Sequence, residues 1–197
     1  MVIDAHAQTY NLSISSGVYT NLEGSTSLNN GWTWDDPNYE VPVGFDFAFF
    51  KDTFSTIYFY ENGLGGFLSN TNNLFGIVPV LIAYGHDIID RGYDIDIDSA
   101  TQNAQSNLSY LLEGTPGNRI FKLEWNNVGF YNDISTNNVS TDYVNFQLWL
   151  YEGSNDIELH FGPSLMSNPN ISFEGDPGPI ISLVEKFDPF TGNIDGD

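Results

Sequence analysis

A chain of 197 residues with 41% hydrophobic and 15% aromatic content carries enough apolar surface for one folded core, which excludes a disordered polymer. Five Lys plus Arg against 26 Asp plus Glu give a formal net charge of −21. That balance excludes nucleic acid and anionic membrane surfaces as partners, because both require basic patches. With no cysteine in the chain, disulfides, thiolate metal sites and Cys nucleophiles are excluded together.

At the start of the chain, Ala5-His6-Ala7 ahead of Gln8 has the small-x-small form of a signal-peptidase site. Residues 1–7 therefore read as the remnant of an export leader or as a disordered terminus. Residues 10–14 alternate apolar and polar with period two and predict a first strand, and residues 18–22 predict a second. Residues 23–39 are rich in Gly, Ser, Asn and Asp and read as a long loop. A strongly alternating strand follows over 41–50, with Pro42 marking a strand start or an edge. Residues 54–60 and 64–68 form two further strands around Asn62-Gly63, a pair that tolerates the positive φ of a hairpin turn.

Residues 77–84 are continuously apolar, as suits a strand covered on both faces. The stretch 87–98 is acidic, and Asp94-Ile-Asp-Ile-Asp98 alternates as a strand would, while 100–107 reads as a short helix or a polar loop. Strands over 109–113, 119–128, 145–152 and 156–161 come at short spacing, separated by turns at 114–118 and 153–155. A closing strand over 180–187 follows the turn-rich 175–179. The series predicts an all-β fold with little helix: a two-sheet antiparallel β-sandwich, jelly-roll-like, as one domain over 8–187 with an acidic tail at 188–197. No internal repeat or linker divides the chain, and no apolar run of about 20 residues offers membrane insertion.

Four stretches in order carry a resemblance. They are Phe54-Ser-Thr-Ile-Tyr-Phe-Tyr-Glu-Asn-Gly63, Ile77-Val-Pro-Val-Leu-Ile-Ala-Tyr-Gly-His-Asp87, Arg119-Ile-Phe-Lys-Leu-Glu-Trp-Asn-Asn-Val-Gly-Phe-Tyr131, and Asn145-Phe-Gln-Leu-Trp-Leu-Tyr151 with Ile157-Glu-Leu-His-Phe-Gly162. Together they resemble the nidogen-like extracellular domain over about residues 41–162. The same order is similar to N-terminal domains of surface-sorted proteins of Bacteroidetes-type bacteria, with Leu112-Glu-Gly-Thr-Pro-Gly-Asn-Arg119 as a shared phrase. Where that family places an aromatic and a Trp before the acidic residue, this chain has Ala83-Tyr-Gly-His. The resemblance implies an extracellular interaction module, part of a larger surface protein, and brings no catalytic residues to transfer.

Candidate chemistry is sparse. The histidines are His6, His86 and His160, and no Gly-x-Ser-x-Gly elbow accompanies them. His86 with Asp87 and Asp90 is too thin a shell for zinc. Calcium fits better: on a strand, Asp94, Asp96 and Asp98 share one face, Asp87 and Asp90 lie nearby, and Ca²⁺ would relieve their repulsion. The alternative is a solvated acidic edge that blocks edge-to-edge pairing.

Trp32, Trp34 and Tyr39 beside Asp35 suit sugar rings, unless the tryptophans plug the end of the sandwich. Trp125 and Trp149 read as core. Glu124, beside Trp125, is placed to act as a sugar-cleaving acid or simply to face outward. The sequence thus points to an extracellular, non-catalytic binding or adhesion module with a glycan or matrix-protein ligand and possible Ca²⁺ stabilisation. The alternatives are a carbohydrate-binding accessory domain of a polysaccharide-degrading enzyme, and a glycoside hydrolase.

Overall fold

The computed structural model describes residues 10–59, 66–71, 77–137, 141–188, 191 and 193. The leader remnant at 1–7, the Asn62-Gly63 turn and most of the acidic tail lie outside the described residues. In chain order the elements are β1 (Thr26–Ser27), β2 (Glu40–Phe49), β3 (Asp52–Phe59), β4 (Phe67–Ser69), β5 (Val78–Gly85), β6 (Ile88–Ile89), β7 (Asn107–Glu113) and β8 (Ile120–Phe130). Helix α1 (Tyr131–Asn137), β9 (Val144–Tyr151), β10 (Ile157–Phe161), helix α2 (Pro169–Ser172) and β11 (Ile180–Phe187) complete them.

The fold is all-β, with two antiparallel sheets packed as a sandwich. Among the described residues one sheet runs β1-β7-β8-β9-β10, with β6 pairing the far end of β8, and the other runs β11-β5-β4-β3-β2. Each sheet is chiefly a meander of sequential hairpins. Alternation explains the layers: Val41, Val43, Phe45, Phe47 and Phe49 of β2 point inward and are buried, while Glu40, Pro42, Gly44 and Asp46 face out. In β5 the continuous apolar run is buried throughout, as its composition predicts.

At the centre lies an aromatic stack joining the sheets. Trp125 of β8 stacks on Phe146 of β9 with ring centroids 4.5 Å apart, Phe146 stacks on Tyr84 of β5 at 5.1 Å, and Phe59 of β3 leans on Trp125 at 5.7 Å. At one end of the sandwich Arg119 clamps the layers. Its guanidinium donates to both Glu152 carboxylate oxygens, at 2.8 and 2.6 Å, and to the Gly44 carbonyl of the opposite sheet at 2.6 Å. That partnership holds the Glu152 carboxyl down to about 2.

Several expectations change. Residues 10–22 form no strand, because no neighbour offers them a ladder; Leu12 and Ile14 stay 90% exposed and Val18 92%. Instead the segment is pinned at its start by Tyr10 against Phe49 and Phe50, and through its last residues to the outer face of β8 and β9. Residues 94–98 are turns, since the Asp94 carboxylate accepts the N–H groups of Asp96 and Ile97 and closes the chain on itself. Residues 100–106 are loop, with β7 starting at Asn107. Trp149 is on the outer face, stacked on His160 at 4.2 Å with the Lys122 ammonium 3.8 Å from its ring, because the same alternation that buries Leu148 and Leu150 turns it outward.

Replacing Trp125 by Ala removes the largest fully buried side chain and leaves a cavity between the sheets. The expected loss is about 3–5 kcal/mol in urea unfolding.

Candidate functional site

The two ends of the sandwich differ. At one, β2 and β3, β7 and β8, and β9 and β10 are joined by short turns. At the other lie the long connections 30–39, 86–106, 131–143 and 163–179. Backbone bonds knit these together: Thr33 N–H to Thr101 O at 2.8 Å, Asp90 N–H to Trp34 O at 2.9 Å, and Tyr131 N–H to Asp87 O at 3.1 Å. Buried aspartates then fix them from within. The Asp90 carboxylate accepts the N–H groups of Gly92, Gln105 and Ser106 at 2.6–3.0 Å. The Asp133 carboxylate accepts those of Thr141 and Asp142, and Asp142 accepts those of Ser167 and Asn168 and the Ser172 hydroxyl. The N–H donors to Asp90, with the nearby Arg91 charge, offset part of the cost of burying it, and burial still pushes its carboxyl up.

The residues singled out in the sequence fall into distinct places on this end. Trp32 is 46% exposed and presents its ring at the surface. Trp34 is buried at 4%, with its indole N–H donated to Ser106 O, so it plugs the end and leaves Trp32 as the exposed tryptophan of this loop. Tyr39 is half-buried and packs edge-on against Phe59 at 5.6 Å. Asp94, Asp96 and Asp98 do not share a strand face: Asp94 is spent on its own turn, Asp98 accepts the Tyr93 hydroxyl, and Asp96 points to solvent.

Asp35 and Asp87 do come together. Burial and then the charges of Asp35, Asp36 and Glu174 push the Asp87 carboxyl up to about 7. Burial and then Asp36 push Asp35 up to about 6. Among the described residues, no group of three or more His, Asp or Glu side chains is arranged as a metal shell. His86 is buried against the rings of Phe130 and Phe173, with Nδ1 accepting the Asp87 N–H.

A second feature, absent from the sequence reading, lies on the outer face of β8. In a regular strand Trp125 and Asn127 would share a face. The register shifts between Trp125 and Val128, with Asn127 at φ 58°, so Trp125 and Val128 both point into the core while Asn126 and Asn127 both turn out. Beside this bulge opens a shallow pocket of about 560 Å³. Its floor is fixed: Asn145 Oδ1 accepts the Asn127 N–H at 2.7 Å and Asn145 Nδ2 donates to Pro163 O at 2.7 Å. Asn127 is held further by Arg91 Nη1 at 2.6 Å and by its own donation to Gln105 O. The only sequence signal was the Asn126-Asn127 pair, since Asn tolerates a left-handed backbone.

One wall of the pocket is Tyr19, brought there by the N-terminal segment. The Glu124 carboxylate accepts the Leu22 N–H at 3.1 Å, the Tyr19 hydroxyl at 3.4 Å and Gln147 Nε2 at 2.6 Å, and Gln147 also donates to Thr20 O. Glu124 faces outward as alternation requires, yet this cover leaves it only 2% exposed.

The chain matches the family described as NIDO related over residues 9–185, nearly its whole length. It belongs to the NIDO-related family. The family match takes in the N-terminal segment and β11, beyond the 41–162 core of the nidogen-like resemblance. No curated protein and no solved structure matches the chain.

The raised carboxyls of this NIDO-related domain set an unusual pH response. Asp35 and Asp87 hold protons in the folded state at pH values where the unfolded chain has released them, so stability rises as pH falls from about 7 to about 4. Below that window Glu152 and Asp142, both lowered by hydrogen bonds, are stabilised as carboxylates and their contribution is lost. Thermal melts should therefore show Tm climbing from about pH 8 to about pH 5 and dropping below about pH 4. Asp87→Asn should raise Tm at about pH 8 and flatten the climb. The same melts check the Ca²⁺ expectation at Asp87, Asp90, Asp94, Asp96 and Asp98: a cation held there raises Tm at about pH 8 over a chelated sample, and an unchanged Tm discards it.

Proposed function

We propose that this domain is an extracellular, non-catalytic binding module of a larger secreted or surface protein, taking a glycan or a matrix protein at its loop-bearing end. The observation that carries the reading is the contrast between the two ends. One is closed by short turns, whereas the other gathers the long connections into a surface held by buried aspartates, a fixed platform of the kind binding sites use.

Charge sorting supports it. Lys51, Arg119, Lys122 and Lys186 lie toward the turn end, and Arg91 sits among the loops with Asp35, Asp36, Asp87 and Asp94. Such a surface favours cationic protein patches and neutral ligands over anionic ones. The non-catalytic part rests on how the candidate groups are used. Glu124 is covered and pins the N-terminal segment, His86 is buried among aromatic rings, and the His160 ring is engaged by Glu158 and Trp149. Among the described residues no helix is long and apolar enough to cross a membrane.

The accessory-domain reading differs only in asking for a catalytic domain in the same polypeptide. Both readings are checked by glycan arrays and by capture of purified matrix proteins. Trp32→Ala is expected to weaken retention about tenfold without lowering Tm, and unchanged retention would remove the Trp32 loop from the binding face. Turnover of a polysaccharide that Glu124→Gln abolishes would replace the module by a hydrolase.

A further inference from the structure

The pocket beside the β8 bulge has a mouth whose polar groups are not spent on the fold. Among the described residues, the side-chain amides of Asn21, Gln105 and Asn126 and the hydroxyl of Tyr143 make no hydrogen bond. They come from four separate parts of the chain: the N-terminal segment, the loop before β7, the bulge itself and the entry to β9. Beneath them the floor amides of Asn127 and Asn145 are fully engaged, so the free groups stand on a rigid base. Tyr19 and Tyr143 contribute rings to the walls.

This combination selects its ligand chemically. No Asp, Glu, Lys or Arg lines the pocket, in a chain of net charge −21. The nearby Arg91 guanidinium lies against the Tyr143 ring, 5.4 Å from its centroid, and bonds Asn127. A cation finds better partners among the loop carboxylates, and an anion is repelled by the whole molecule. A neutral polyol fits: each amide presents a donor and an acceptor side by side, matching the donor and acceptor of neighbouring hydroxyls, while a tyrosine ring packs on an apolar C–H face. A volume of about 560 Å³ lies within the range of small-ligand sites, about 300–1,000 Å³. The absence of a deep apolar anchor disfavours a peptide side chain.

We infer that the pocket is a subsite for one uncharged sugar residue, bound by the amides of Asn21, Gln105 and Asn126 between the rings of Tyr19 and Tyr143. The inference rests on the binding-module reading and names the ligand class for one part of that surface.

The test is calorimetric and NMR titration of the full chain with neutral hexaoses of glucose, mannose and N-acetylglucosamine, with oligogalacturonate as the charged comparison. At least one neutral oligosaccharide is expected to bind, shifting the side-chain amide signals of Asn126 and Gln105. The double variant Gln105→Ala, Asn126→Ala should then lose about tenfold or more in affinity at unchanged Tm, because neither side chain bonds to the protein. Thr115→Ala, at the opposite end, should bind as the parent does.

Parent-like binding by the double variant overturns the inference, as does preference for oligogalacturonate or no saccharide binding at millimolar concentration. Saccharide binding lost with Trp32→Ala but kept in the pocket variant overturns the pocket alone and leaves the module standing. Loss of both saccharide and matrix-protein binding removes the module as well.

Discussion

A single irregularity in β8 governs how this sandwich is assembled at its loop-bearing end. Trp125 and Val128 must both be buried, and a regular strand cannot turn residues three apart to the same face. The bulge resolves this by placing Asn127 in a left-handed conformation that Asn tolerates better than most residues. Beyond it, β8 leaves β7 and pairs with β6, which carries the chain directly into Asp90. The outward amide of Asn127 then ties down Gln105 and Arg91, and its carbonyl accepts the Ser106 hydroxyl at 2.7 Å. Core packing, loop anchoring and the pocket floor are thus three consequences of one extra residue.

The distribution of charge follows a related logic. A chain with so few cations cannot neutralise its buried carboxylates pairwise. Asp90, Asp133 and Asp142 are instead satisfied by loop N–H donors, together with an amide or a hydroxyl, and in being satisfied they order the loops. The Arg119–Glu152 pair is kept for the turn end, where it also reaches across to Gly44 of the other sheet. Part of the acidity that looks like a ligand site in the sequence is therefore structural. Asp35, Asp36 and Asp87 lack donors sufficient to offset their burial, which raises their proton affinity, with neighbouring carboxylates adding to the rise at Asp35 and Asp87.

The sheets were legible because period-two alternation reports a buried face directly, most plainly in β2. The same rule over-read the segment 10–22, since alternation says nothing about whether a partner strand exists. It also misplaced residues 94–98, where Asp at every second position looks like a strand face but serves as a turn closer. Trp149 was misread for the opposite reason, hydrophobicity being allowed to outweigh a parity that pointed it outward. The pocket was out of reach: Tyr19, Gln105, Asn126 and Tyr143 meet only through strand register and a bulge, and neutral amides carry no motif.

Glu124 shows how function-like chemistry can belong to architecture. Its position beside Trp125 suggested an acid, yet its carboxylate receives the Leu22 N–H and the Tyr19 hydroxyl, with Gln147 completing the set. Those bonds and Tyr10, packed on Phe49 and Phe50, hold the extended segment, whereas Leu12, Ile14 and Val18 bury almost nothing. The close approach continues at Gly162, where a Cβ would meet the Tyr19 ring at 2.7 Å, so that position requires the smallest residue. The family match begins at residue 9, which places this segment inside the domain. Tyr19 is a wall of the pocket, and Glu124 shapes that pocket through the segment it holds.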